Sequence, residues 1–310
     1  MEDKTLLLSN LCKDYYLENH TIHDISQKYN LSRYKILKFL DEAKELGIVR
    51  IDVKEQFERH SELEGKLESF FPTHFFVLKE DSPFIEHESI FWKFCAFYIQ
   101  QHISQDKIIN LSFGDSLFKT VEQFTPSYEG EHTFIPFLGD NQRLNNISNP
   151  SFIAYQCSKI YHAKYLKLSC PLYTSNAHLK EEWLKEPCFA NTLSLAKKAD
   201  SLLTGLATPA AIEAVPIWDK DKEALFPHLE EAAGFIFGRP YTIQGKFIVD
   251  NDPVLGLDLS DIANIPNIYA ICNHKFKARS MIGALRTGLL THVLLNESTA
   301  AKIIHLLLEK

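Results

Sequence analysis

No apolar run in the sequence approaches the ~18 residues that a membrane-spanning helix needs, so no helical membrane anchor is expected. There is no Cys-x-x-Cys pair. The six cysteines, Cys12, Cys95, Cys157, Cys170, Cys188 and Cys272, are scattered without metal-site spacing and read as small hydrophobes in a reducing compartment. An overall basic excess is also missing. The formal net charge of −7 excludes a protein that is basic throughout. The opening Met1-Glu2-Asp3-Lys4 lacks the basic-then-apolar layout of a signal peptide, and a cytoplasmic protein is expected. No carboxylate pair and no Cys/His arrangement falls at a predicted strand end, so no catalytic residue, metal ligand or cofactor is expected. What remains is a chain of 310 residues with 45% hydrophobic and 24% charged residues, which fits a soluble protein of two unequal domains.

Charge is uneven within that frame. Residues 1–60 hold ten Lys/Arg and eleven Asp/Glu, yet between residues 20 and 40 Lys28, Arg33, Lys35 and Lys38 face Asp24 alone. Local positive charge is what a phosphate contact requires. Leu7, Leu8, Leu11 and Tyr15 repeat at helical spacing and predict a first helix over Thr5–Leu17. Thr21-x-x-Asp24 reads as a capping box that opens a second helix with Ile22, Ile25 and Tyr29 inward. Asn30 suits the left-handed residue that ends it. Ser32 is a good N-cap for a third helix, which is expected to bury Ile36, Leu37, Leu40, Ala43 and Leu46 and to stop at Gly47. Ile48 to Val53 then alternates apolar and polar, as a strand or wing does.

Two helices joined by a three-residue turn form a helix-turn-helix. Its second helix carries Ser32, Arg33, Tyr34, Lys35 and Lys38 where a major groove is read. Double-stranded operator DNA is therefore the expected partner of residues 1–54. A small helical bundle with a solvated basic face is the plainer alternative.

Residues 55–70 read as a linker helix, either solvated or paired with a partner chain. Over 71–310, short apolar runs alternate with amphipathic stretches. Strands are predicted at His74–Leu78, Lys107–Leu111, Thr133–Leu138, Tyr165–Leu168, Ser201–Thr204, Phe235–Phe237, Asn267–Cys272 and His292–Leu295. Helices are predicted at Ile85–Ile103, Ser116–Phe124, Ser151–His162, Lys277–Thr287 and Ser298–Leu308. That alternation implies an α/β fold with a doubly wound, mostly parallel sheet, whose ligands bind beyond the carboxyl ends of the strands. There stand Ser112, Gly114, Asp115 and Ser116 after the second strand, Gly139, Asp140 and Arg143 after the third, Gly205 after a later one, and Lys277 opening a helix. Hydroxyls, first-turn amides and a lysine suit an anion, phosphate above all. Gly/Ser turns with no ligand are the alternative.

These segments together resemble the SorC/DeoR-type family of bacterial transcriptional regulators, over nearly the whole chain. Ile25-Ser26-Gln27-Lys28-Tyr29-Asn30-Leu31-Ser32 is similar to its helix-turn-helix core, and Ala43 to Val49 to the exit into its wing. Ile108 to Ser116 is similar to its glycine-valine-serine-tryptophan-glycine segment, Ala199 to Gly205 to its next strand, and Lys277 to Arg286 to its lysine-led helix. The resemblance implies a winged helix-turn-helix and a sugar-binding domain related to phosphosugar isomerases. It also implies a homo-dimer or homo-tetramer and a phosphorylated sugar as effector. The sequence departs from the pattern at Phe113 for tryptophan, at Asn273-His274 for a glycine pair, at Gly139-Asp140 for another, and at Phe235 for an aspartate. Side chains at glycine positions narrow a cleft, and a missing acid removes a partner for a sugar hydroxyl. A phosphosugar isomerase-like enzyme, with His274 as a base, and a regulator without an effector are the competing functions.

Overall fold

The computed structural model describes residues 2–49, 57–80, 87–126, 131–140, 148–212 and 224–309. The chain divides into two compact units, Met1–Gln56 and Phe57–Lys310.

In the smaller unit, α1 (Glu2–Cys12) continues into a π-helical turn over Lys13–Leu17, followed by α2 (Ile22–Tyr29) and α3 (Arg33–Glu45). The capping box is formed: the Asp24 amide donates to Thr21 Oγ1 at 3.2 Å and the Thr21 amide to Asp24 Oδ2 at 3.1 Å. Asn30 ends α2 at φ 51°, and Ser32 caps α3 by accepting from the Lys35 amide. Leu8, Leu11, Cys12, Ile25, Ile36, Leu40 and Ala43 form the core. Leu37 and Leu46, expected inside, are 50% and 61% exposed. The three-helix core is closed by positions 36, 40 and 43 of α3, and a single stripe at that spacing has no room for two more leucines. Ile48 and Val49 pack against the core, while the rest of the predicted wing, from residue 50 on, lies outside the described residues.

In the larger unit the strands are β1 (His74–Leu78), β2 (Ile108–Leu111), β3 (Thr133–Pro136), β4 (Lys164–Tyr165), β5 (Ser201–Gly205), β8 (Asn267–Cys272) and β9 (His292–Asn296). They form one parallel sheet in the order β1-β9-β8-β5-β2-β3-β4. Neighbouring side chains point to opposite faces, so Phe75, Val77, Val293 and Leu295 enter one core and Phe76, Leu78 and Leu294 the other. The helices that cover the two faces include α4 (Ser61–Phe70), α5 (His87–His102), α6 (Asp115–Val121), α7 (Pro150–Tyr161), α8 (Ala177–Lys185), α9 (Pro187–Ala196) and α10 (Pro209–Ile212). After them come α11 (Leu259–Ile262), α12 (Ala278–Arg286) and α13 (Glu297–Leu308).

Three expectations change. The predicted helix over 55–70 begins only at Ser61 and is part of the larger unit: Leu67 is fully buried, and Glu64 is held by Arg59 at 2.8 Å and by the Val77 amide at 2.8 Å. Phe235–Phe237 is no strand of the parallel sheet. β6 (Gly234–Ile236) and β7 (Arg239–Tyr241) form an antiparallel hairpin of their own. Its turn is Phe237-Gly238, with φ 56° and 75°, the two left-handed residues of a tight hairpin. The run at Tyr165–Leu168 stays in the sheet only to Tyr165, because the chain leaves to pair Pro171 with Asp140 and Tyr173 with Val254.

Candidate functional site

The strand order reverses around β2, with β3 and β4 on one side and β5 on the other. At such a switch point the loops leaving the two central strands part and open a crevice. Here the turn after β2 lies beside the end of β5: a Cβ on Gly205 would come no closer than 4.0 Å to Ser116 Cβ. A cavity of about 150 Å³ occupies the place, lined by Ser112–Ser116, Gly205–Ala207, the hairpin residues Phe235–Gly238, and Lys277. The structure thus brings Ser112, Gly114, Asp115, Ser116, Gly205 and Lys277 together from distant parts of the chain.

The turn after β2 is built by its backbone. Gly114 sits at φ 126°, open only to glycine, and its amide donates to Ser148 O at 3.0 Å. The Ser112 amide donates to Leu203 O at 3.0 Å. Those two amides are committed to the scaffold. The hydroxyls of Ser112 and Ser116 and the amides of the first turn of α6, which have no carbonyl inside the helix, remain as the polar groups of this wall. The Asp115 carboxylate accepts a hydrogen bond from Ser148 Oγ at 2.8 Å, which ties its charge to the scaffold. Lys277 closes the last residue of a 3₁₀ turn before α12, and its Nζ donates to Leu206 O at 3.3 Å across the cavity edge.

Other predicted residues are elsewhere. Gly139 is buried against the chain at Pro171, where a Cβ would lie 2.2 Å from the carbonyl oxygen, so this glycine serves a close crossing of two backbones. Asp140 lines a separate groove of about 740 Å³ with Tyr155, Tyr165 and Lys167. Arg143 lies outside the described residues. His274 does not line the crevice. It stacks on Phe276 at 5.1 Å, and partial burial, reinforced by Lys277, holds its imidazole below the ordinary histidine value. Asn273 is buried, with its Oδ1 unbonded, and also stays off the cavity wall. Ser148, Ala207, Ala211 and Phe237 do line it and were not foreseen. Ser148 had no signal of its own, since it follows no predicted strand and stands two residues before α7.

On α3 the predicted reading residues Ser32, Arg33, Tyr34, Lys35 and Lys38 are all exposed, Tyr34 at 78%. Ser32 is occupied as the N-cap, and Lys35 Nζ lies 5.7 Å from the Phe39 ring. Leu37 adds an apolar side chain to this surface. Lys28 is not a free charge. Its Nζ donates to Asp14 Oδ1 at 2.8 Å, and Asp14 is buried. The Lys28 ammonium holds the Asp14 carboxyl below the usual carboxylate range, an effect that outweighs the loss of hydration on burial.

The model of the Sugar-bind family, a sugar-binding domain by its description, matches residues 55–305. The chain belongs to this family, in the branch of SorC/DeoR-type transcriptional regulators. Among curated relatives it is similar to the "Deoxyribonucleoside regulator" of Bacillus subtilis, 23% identical over 97% of both chains. It is also similar to the "Transcriptional regulator LsrR" of Escherichia coli, 21% identical over 94% of this chain and 92% of that one. Among solved structures, the full-length sorbitol operon regulator SorC of Klebsiella pneumoniae has a TM-score of 0.69 at 21% identity, covering 97% of this chain and 99% of that chain. A DeoR family transcriptional regulator of Listeria monocytogenes has a TM-score of 0.68 at 23% identity, covering 78% of this chain and 98% of that one. For a Sugar-bind family member, the departures at Phe113 and Phe235 reach the crevice itself, whereas those at Asn273 and His274 do not.

Proposed function

We propose that this regulator binds an operator through α3 and is released from it, or fixed on it, by a small phosphorylated sugar held in the switch-point crevice. The observation that carries the reading is the meeting of Ser112, Ser116 and the Lys277 ammonium on one small cavity. Hydroxyls and a point charge suit a phosphate, and the bond from Ser148 keeps the Asp115 carboxylate from standing alone beside it. Arg33, Tyr34, Lys35 and Lys38 are the DNA contacts in this reading. A homo-dimer or homo-tetramer doubles them on a palindromic site, and the protein works in the cytoplasm beside its DNA.

An isomerase is the weaker reading. Among the described lining residues Asp115 is the one carboxylate, there is no histidine or cysteine, and a general acid/base pair is needed for that chemistry. The test is a thermal-shift titration of the full chain with a panel of sugar phosphates, followed by operator binding with and without each. Saturation at ~100 times Kd stabilises the protein by ~2.7 kcal/mol. Lys277→Ala is expected to remove the shift and keep operator binding by the free protein. A shift that survives in the variant moves the site elsewhere. No shift with any member of the panel leaves a regulator that acts without an effector.

A further inference from the structure

Helix α3 has two apolar surfaces of different kinds. Ile36, Leu40 and Ala43 are buried in the three-helix core, and Phe39 packs against that core from the side. Tyr34 and Leu37 stand clear of this stripe, at 78% and 50% exposure. With Lys38 and Asp41 they occupy the i, i+3, i+4 and i+7 positions of one outward face. Single exposed apolar residues are common on protein surfaces. Two large ones a turn apart, set among the exposed cations Arg33, Lys35 and Lys38, fit a partner that offers an apolar group beside phosphates.

The polar groups of the helix narrow what this face can read. Paired hydrogen bonds to a base edge come from arginine or lysine at guanine and from asparagine or glutamine at adenine. The helix contains no asparagine or glutamine, and its one arginine stands at the first helical position, with Nη2 3.5 Å from His23 Nδ1. Asp41, whose carboxylate could accept from cytosine, is joined to Lys44 at 3.1 Å. Lys35 Nζ lies 5.7 Å from the Phe39 ring, on the flank of the helix. One turn into α3 the outward face therefore presents Leu37 and the ammonium of Lys38, a point charge suited to phosphate. Base edges are read from the N-terminal half of such a helix, and the apolar feature of the major groove is the C5 methyl of thymine. Leu46, also exposed, follows the end of α3 and does not share this face.

We infer that Leu37 reads thymine, its isobutyl group lying on the C5 methyl in the major groove while Tyr34, one turn nearer the helix start, closes the contact against water. The inference rests on the operator reading proposed above and adds which side chain carries an apolar part of the specificity. Leu37 is then a specificity-determining residue, and the operator holds a thymine at one fixed place in each site.

The experiment removes a single methyl group from the DNA. Duplexes enriched from a random library by the full chain supply the site. Each thymine in it is then replaced in turn by deoxyuridine, which lacks the C5 methyl and keeps the same hydrogen-bonding edge. Gel-shift titration of the wild type is expected to show a loss of about fourfold at one thymine, the effect of one buried methyl-sized group. In Leu37→Ala the thymine and uracil duplexes are expected to bind alike, so that the two losses do not add. Leu37→Met, which keeps an apolar chain of similar volume, is expected to retain the difference. Circular dichroism checks the fold of both variants. An enriched site without thymine overturns the inference, as does a uracil effect of the same size in wild type and Leu37→Ala. No uracil effect at any position, with binding still weakened by Arg33→Ala or Lys38→Ala, overturns it and leaves α3 as the reading helix. A changed light-scattering mass in Leu37→Ala, with the uracil effect intact, assigns the residue to contact between copies and overturns it too. If no duplex is enriched, or if Arg33→Ala and Lys38→Ala both bind the enriched duplex like wild type, α3 is not the reader and the operator reading falls with the inference.

Discussion

The smaller unit carries its candidate contacts on successive turns of one helix, α3, whereas the larger unit assembles its crevice from segments that run from residue 112 to residue 277. The first arrangement needs only a correctly capped helix with a buried face. The second needs a sheet whose strands are in register before any two of its groups can meet. The smaller unit therefore concentrates its sensitivity in a few core residues and one ion pair. The larger spreads it over loops, and two glycines of similar sequence context there have opposite roles.

The largest effect should come at Gly139. A methyl group there would meet the Pro171 carbonyl at 2.2 Å, and two backbone segments cannot part without opening the sheet edge. Gly139→Ala is expected to lower stability by about 3 kcal/mol, the upper end for overpacking. Urea denaturation reads this directly, and an unchanged midpoint would show that the backbones at 139 and 171 yield to each other.

In the smaller unit the sharpest dependence is on Asp14. Removing its charge in Asp14→Asn is expected to lower the melting temperature of that unit, because the Lys28 ammonium is left with a neutral amide oxygen in place of a carboxylate, and a charge-assisted bond is the stronger of the two. The sign with pH follows from the carboxyl being held below its ordinary value by Lys28. The stabilisation is complete above the unfolded carboxylate value, near pH ~4, and is lost as pH falls through the lower, folded value. Thermal melts of residues 1–56 in the full chain, followed by a probe confined to that unit, should thus separate wild type from variant at pH 7 and bring them together in strong acid. A constant gap at all pH values would assign the effect to packing instead.

Next in size are the DNA contacts proposed for α3. Arg33→Ala or Lys35→Ala should cost ~1–3 kcal/mol on the operator if the side chain reads a base edge, with less loss on unrelated DNA. Lys38→Ala should weaken all sequences alike and flatten the salt dependence, as a phosphate contact does. Gel-shift titrations at several salt concentrations distinguish the two. Wild-type affinity in all three variants would mean that α3 is not the reading helix.

The smallest effect sharpens the contrast with Gly139. At Gly205 a methyl would have 4.0 Å to its nearest neighbour, Ser116 Cβ, and the backbone needs no special conformation. Gly205→Ala should change stability by less than ~0.5 kcal/mol while narrowing the crevice for any ligand. A loss like that of Gly139→Ala would make Gly205 a packing residue too.

Much of this was legible before the fold. Thr21, Asp24, Asn30 and Ser32 mark helix ends through bonds to residues three or four positions away, so their roles follow from local spacing alone. Strand-helix alternation and the two-faced apolar runs of β1, β8 and β9 likewise determined a parallel α/β sheet. Tertiary structure decided the rest, because those outcomes depend on contacts between residues far apart in the chain. It put Leu37 outside, spent Lys28 on Asp14, made Gly139 a crossing point, and turned Phe235–Phe237 into a hairpin over the crevice. No periodicity records which carbonyl lies 2.2 Å from a glycine or which aspartate lies under a lysine, since such pairs arise only when the strands close into a sheet and the helices close into a bundle.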